Sequence, residues 1–181
     1  TLKLKLEETH TPDIILPSDL KLLPSSLTEL RITTVPGVLP INLANLQGLP
    51  PALTILRLDF SATPTGPLIS FFRTLPRQLA ELSLSNLPNA DNGEEWADEV
   101  LDALPKSLTK APFLHERQFR PAQRLDLLLP SLKYFSTMDN LTEFHLPTSI
   151  TELDTALRDI DLISFQLPRL LTLKGVLIPL S

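Results

Sequence analysis

Three stretches of the chain set leucine among polar residues in one pattern: LPSSLTELRI from Leu23, LPPALTILRL from Leu49 and LPRQLAELSL from Leu75. Each ends apolar, polar, apolar, as Leu30-Arg31-Ile32, Leu56-Arg57-Leu58 and Leu82-Ser83-Leu84. A period of two over so short a run predicts a strand with one buried face and one solvated face. Between these strands the pattern changes. PLISFFRTLP (67–76) places Leu68, Phe71, Phe72 and Leu75 at helical spacing, and EEWADEVLDALP does the same with Trp96, Val100, Leu101 and Leu104. Each helix is expected to stop at Pro76 or Pro105, because proline supplies no amide donor and clashes with the preceding turn. The leucine-proline pair therefore reads as punctuation between an outer helix and an inner strand.

The spacing of the pattern is regular. Leu4, Leu30, Leu56 and Leu82 follow one another at a constant step of 26, as do Leu6, Ile32, Leu58 and Leu84. A further copy, LPKSLTKAPF from Leu104, comes at a step of 29 after the last and puts Leu108, Ala111 and Phe113 in the same slots, the extra length falling in NADNGEE. One such unit cannot bury its own apolar face; stacked copies would form a parallel sheet with strands about 4.8 Å apart over a leucine interior. The motif Leu-x-x-Leu-x-Leu, here Leu27-x-x-Leu30-x-Ile32, Leu53-x-x-Leu56-x-Leu58 and Leu79-x-x-Leu82-x-Leu84, resembles the leucine-rich repeat. That resemblance implies an α/β solenoid with a parallel β-sheet on its concave side and helical or irregular segments on its convex side. It also implies a role in binding proteins. Where the family usually has Asn or Cys, three residues past the last apolar position, this chain has Thr9, Val35, Ser61 and Leu87.

After Leu108 the rhythm changes. Leucine-proline returns at 129, 146 and 167, at steps of 25, 17 and 21. The strand-like pieces LKYFST, LTEFHL and ITELDT start nine residues apart, which suits a short meander as well as compressed repeats. Residues 1–128 are thus expected to form regular repeats. Residues 129–181 are expected to form irregular repeats, or a C-terminal cap of the same solenoid, ending on LPRLLTLKGVLIP.

Composition supports repetition and narrows the function. Of 181 residues 42 are leucine, beside 18 prolines and 5 glycines, a bias that repeat units explain better than an ordinary globular core. A net charge of −5 gives no overall attraction for nucleic acid or an anionic membrane. The longest apolar runs, such as LDLLLP, fall far short of the roughly 20 residues needed to cross a bilayer. The chain has no cysteine and opens at TLKLKLEE without Met or a leader, which reads as the interior of a longer chain in a cytoplasmic or otherwise intracellular setting. His10, His115 and His145 are scattered and lack metal-ligand spacing, and no Ser or Thr sits in a nucleophile elbow, so neither an enzyme nor a cofactor or small-molecule site is expected. The acidic group Asp91, Glu94, Glu95, Asp98 and Glu99 reads as the solvated first turn of a helix. Asn140-Leu141-Thr142 matches a glycosylation acceptor by its three letters alone.

What remains is the outward face of the sheet. At the constant step its middle column holds Lys5, Arg31, Arg57 and Ser83. Two residues earlier come Lys3, Glu29, Ile55 and Glu81, and two later Glu7, Thr33, Asp59 and Ser85. A basic column edged by carboxylates is a candidate stripe for a protein partner with an acidic segment, with Lys5, Glu29, Arg31, Ile55, Arg57, Asp59 and Glu81 as its contact residues. The alternative is a solvated face whose charges pair with one another. Two functions follow: an adaptor or scaffold arm that binds its partner on the concave face, or a structural subunit held in a large assembly by other surfaces. Exposed Ile55 and Phe60 would favour the first, and a patch of Leu114, Phe119 and Tyr134 the second.

Overall fold

The computed structural model describes residues 1–6, 20–34, 36, 40–85, 98–112, 124–137, 145–157, 169 and 171–177, with the backbone alone at 3–6, 98, 136–137, 155–157 and 173–177. Strands β1 (Leu2–Leu6), β2 (Glu29–Thr34), β3 (Ile55–Asp59) and β4 (Glu81–Leu84) pair in chain order, and every pairing is parallel. Strands β5 (Tyr134–Thr137), β6 (Glu152–Leu157) and β7 (Thr172–Leu177) do the same. Lys110 joins the two sets by parallel bridges to Glu81 on one side and Tyr134 on the other.

One hydrogen-bonding device recurs at each step from β2 to β7. The carbonyl oxygen just before a strand accepts two successive amides of the next rung. Thr28 receives Thr54 and Ile55, Thr54 receives Ala80 and Glu81, and Ala80 receives Thr109 and Lys110. Thr109 then receives Lys133 and Tyr134, Lys133 receives Thr151 and Glu152, and Thr151 receives Leu171 and Thr172, all at 2.8–3.1 Å. The threonine of the repeated Leu-Thr pair adds its hydroxyl to the same acceptor, as Thr54 Oγ1 does to Thr28 O and Thr109 Oγ1 to Ala80 O. Ahead of each strand the chain makes the same tight turn, closed by Leu27 N to Pro24 O, Leu53 N to Pro50 O, Leu79 N to Pro76 O and Leu108 N to Pro105 O. Ile150 N to Pro147 O repeats it, and Leu132 N to Leu129 O does so one residue out of phase with the proline. The expected punctuation thus has a physical form: proline ends the incoming segment, and its carbonyl anchors the turn that starts the strand.

The inward side chains stack in columns. Leu30, Leu56, Leu82, Ala111, Phe135 and Leu153 form one, and Ile32, Leu58 and Leu84 a second. Leu53, Leu79, Leu108, Leu132 and Ile150, from the turns, form a third, and all of these side chains are buried. Each leucine so placed contributes about 1.5–3 kcal/mol of transfer free energy, which no isolated unit would gain. The opposite side of this layer is closed by a 3₁₀ turn (Leu43–Leu46) and by helices α1 (Leu68–Thr74), α2 (Asp98–Asp102) and α3 (Leu125–Leu128). Helix α1 inserts Phe71 and Phe72, whose rings meet at 5.7 Å between centroids and 47°. Leu101 of α2 and Leu104 beyond it are buried, while Trp96 lies outside the described residues.

One expectation needs correction, and one open alternative narrows. The first step departs from the constant one: Leu2 pairs with Leu30 and Leu4 with Ile32, two positions longer than the step that β2 to β3 and β3 to β4 keep. Of the later pieces, LTEFHL lies outside the described residues but for His145 and Leu146, and LKYFST and ITELDT are not antiparallel neighbours. β5 and β6 pair directly and in parallel with Tyr134 opposite Glu152, and β6 meets β7 in the same sense with Glu152 opposite Thr172, so these rungs are shorter than the earlier ones. A hairpin meander would require antiparallel neighbours.

On the outer layer a second small ladder runs beside the 3₁₀ turn, with Leu43 N donating to Thr65 O and Thr65 N to Ile41 O. Gly66 follows it at φ 95°, and a β-carbon there would stand 2.6 Å from Asn42 Oδ1, the atom that caps the 3₁₀ turn through Ala44 N. Gly66→Ala combines an unfavourable backbone region with a lost cap and is expected to destabilise the fold by about 1–3 kcal/mol, measured as a lower urea midpoint at unchanged slope.

Candidate functional site

The outward positions of β2, β3 and β4 form three columns that the registers fix. The first holds Glu29, Ile55 and Glu81 and continues through Lys110, Tyr134 and Glu152. The second holds Arg31, Arg57 and Ser83, and the third Thr33 and Asp59. The longer first step changes the N-terminal end of this array. Lys3, not Lys5, lies beside Arg31 and extends the basic column, while Lys5 pairs with Thr33 and joins the column of Asp59.

The face is polar and largely paired with itself. Arg57 Nε donates to Glu81 Oε1 at 2.9 Å, and this hydrogen bond, with the carboxylate's charge second, raises the Arg57 guanidinium above its already high ordinary pKa. Arg31 lies 3.8 Å from Asp59 across the strand pair, and Thr1 donates its hydroxyl to Glu29 at 2.8 Å. Both arginine side chains are substantially exposed, at 42% for Arg31 and 39% for Arg57, so water screens these pairs heavily. A double-mutant cycle of Arg57→Ala with Glu81→Ala is expected to give a coupling of no more than about 1 kcal/mol, shrinking in high salt.

Three positions break this self-pairing. Ile55 is half-buried within a charged surrounding. Lys110 is exposed and sets its ammonium 5.8 Å from the centroid of the half-buried Tyr134 ring. Among the described residues no carboxylate pairs with Lys110. Sequence reasoning did not place Lys110 and Tyr134 on this face, although each directly follows the repeated Leu-Thr or Leu-Lys step, the slot that Glu29, Ile55 and Glu81 also occupy. Phe60, expected beside the face as an exposed anchor, is 2% exposed and belongs to the core. Leu114 and Phe119 lie outside the described residues.

At the C-terminal ends of the strands, hydroxyls bind one rung to the next. Thr34 Oγ1 accepts from Ser61 N at 2.7 Å and meets Ser61 Oγ at 3.0 Å. Ser85 Oγ accepts from Phe60 N at 2.9 Å and donates to Asp59 at 2.8 Å. These short side chains tie adjacent rungs at the level where the resemblance would have put asparagine.

No group of three His, Asp or Glu among the described residues could hold a metal ion. His145 is exposed, with its carbonyl accepting from Asp126 N, while His10, His115, Asp91, Glu94 and Glu95 lie outside the described residues. Among the described residues no helix is long and apolar enough to cross a membrane. No protein-family model, curated protein or solved structure matches the chain.

Proposed function

We propose that this chain is a leucine-rich-repeat-type solenoid, and that it serves as a non-catalytic interaction module binding a protein partner on the outward face of its sheet, in the manner of an adaptor or substrate-recognition part. The observation that carries this reading is the repeated carbonyl ladder from Thr28 to Thr151, which sets Ile55, Glu81, Lys110 and Tyr134 in one column. Half-buried Ile55 and Tyr134 supply apolar anchors, and the surrounding charges fix the partner's register more than its affinity. Because Arg31 and Arg57 already face Asp59 and Glu81, a partner's acidic segment would have to displace those carboxylates to reach them.

The test is a comparative pull-down from the source organism's lysate with the wild-type chain and an Arg31→Glu, Ile55→Glu, Lys110→Glu triple variant of matched melting temperature. A partner lost with the triple variant is the expected result. Retention of the same partners would move the contact to another surface. The second reading, a subunit held in an assembly, has one feature in its favour: Leu127 on α3 is 63% exposed on the helical side. If that reading holds, Leu127→Glu would release the partner and the triple variant would not.

A further inference from the structure

On the edge of the fold where the strands begin, the turn at Pro105 and the end of α2 stand apart from the end of α1 and leave an open cleft of about 470 Å³. Its floor is apolar, formed by Phe72, Leu75, Leu104 and Pro105. Its rim is cationic. Arg73 and Arg77 are exposed, and neither guanidinium has a hydrogen-bond or ion-pair partner among the described residues; the charge of Arg73 acts on Asp102 only from farther off. The Lys106 ammonium is held at the same rim by Asp102 Oδ1 at 2.7 Å and by the carbonyl of Leu128 at 3.0 Å. Among the described residues Asp102 is the lone carboxylate in the lining, so three cations face one anion in a chain whose net charge is −5.

Arg77 also lines a second depression of about 510 Å³, between Pro51 and Ala52 on one turn and Pro76 and Gln78 on the next. Gln78 Nε2 donates to Pro51 O and ties these two turns together. Arg77 lines both hollows and so sets them side by side, as one shallow trough, across three successive turns. Rungs of a parallel sheet lie about 4.8 Å apart, so the trough runs about 10 Å, the length of three extended residues. A compact anion would fill one hollow; an extended chain would fill both.

We propose that this trough, distinct from the outward sheet face, binds an extended acidic segment of a partner protein, with carboxylates on Arg73 and Arg77 and an apolar side chain over Phe72 and Leu104. Guanidinium forks suit carboxylate oxygens, and the apolar floor adds a term that free anions would not gain. On the sheet face the arginines already pair with carboxylates; among the described residues Arg73 and Arg77 pair with none, which gives the trough the charge complementarity that the face lacks.

Three fluorescein-labelled decapeptides test the assignment by anisotropy: one of alternating Glu and Leu, one of Glu and Ser, and one of Lys and Leu. The Glu/Leu peptide should bind the wild-type chain saturably, and the other two at least about tenfold more weakly. Arg73→Glu with Arg77→Glu should weaken Glu/Leu binding by at least about tenfold, and Arg31→Glu with Arg57→Glu should leave it unchanged. If the charge reversal lowers the melting temperature, Arg73→Gln with Arg77→Gln replaces it and the same direction is required. Absence of Glu/Leu binding, equal binding of Glu/Ser or Lys/Leu, equal binding by the Arg73/Arg77 variant, or loss with the Arg31/Arg57 variant alone would each overturn the proposal.

Discussion

In a chain carrying Leu56→Asp the N-terminal four-stranded sheet is expected not to fold. Leu56 is fully buried on β3, with Leu30 and Leu82 beside it in register on the neighbouring strands. Removing the leucine costs about 2–5 kcal/mol in lost transfer and cavity formation, and a carboxylate left in the same place adds several more because the inward columns described above hold no cation to pair with it. The sum approaches the whole stability of a typical domain, about 5–15 kcal/mol. Far-UV circular dichroism should show loss of that sheet's melting transition, whereas Leu56→Met, which conserves volume, should cost less than about 1.5 kcal/mol. A Leu56→Asp chain that melts within a few degrees of wild type would mean that this column is not the core.

The second large effect is expected at Phe135. In the first inward column leucine gives way to Ala111 on the Lys110 rung, and the next rung answers with Phe135, 1% exposed. The larger ring follows the smaller methyl at the point where the two sheets join through a single bridged residue. Phe135→Ala would leave two small side chains in succession and a cavity at that joint, a loss of about 3–5 kcal/mol. Because rungs in a stack touch only their neighbours, the damage should stay local. The N-terminal four strands are expected to keep melting near the wild-type temperature while β5 to β7 unfold earlier, giving two transitions by calorimetry. A single transition displaced as a whole would mean that the stack is cooperative across the joint.

Much of this architecture is legible because leucine marks depth. The equal intervals between Leu30, Leu56 and Leu82 give the pairing of β2 with β3 and of β3 with β4, and the longer interval to Ala111 gives the next rung. The first step misleads for a physical reason. The run Leu2-Lys3-Leu4-Lys5-Leu6 repeats every two residues, so sliding it by two returns leucine to leucine and lysine to lysine. A one-residue slip would bury the lysines and is forbidden, but a two-residue slip has no signature in the pattern. It decides whether Lys3 or Lys5 adjoins Arg31. Phe60 is a different error. Strict alternation from Leu56 and Leu58 already assigns it to the buried side, and its size draws attention to the surface instead.

The candidate site is less legible than the fold. Outward positions carry no hydrophobic marker, so their columns can be read only where the register is known. The pairing of Arg57 with Glu81 and of Arg31 with Asp59 depends on which rotamers reach across the strands, which periodicity does not encode. The trough at the turns is hidden for another reason. Arg73 and Arg77 come from the end of α1 and the following turn, and Lys106 from the turn at Pro105, a full repeat beyond Arg77, and only stacking brings them to one rim.

The account rests on the two sheets forming one continuous face, and the joint between them can be measured directly. In a long-range HNCO spectrum the Thr109 carbonyl should couple through hydrogen bonds to the amides of Lys133 and Tyr134, as the Ala80 carbonyl should to those of Thr109 and Lys110. Both pairs of couplings are expected. If the Thr109 couplings are absent while those of Thr28 and Thr54 to the next rung are present, β1 to β4 and β5 to β7 are separate sheets, and the column from Glu29 to Glu152 does not exist as a binding surface.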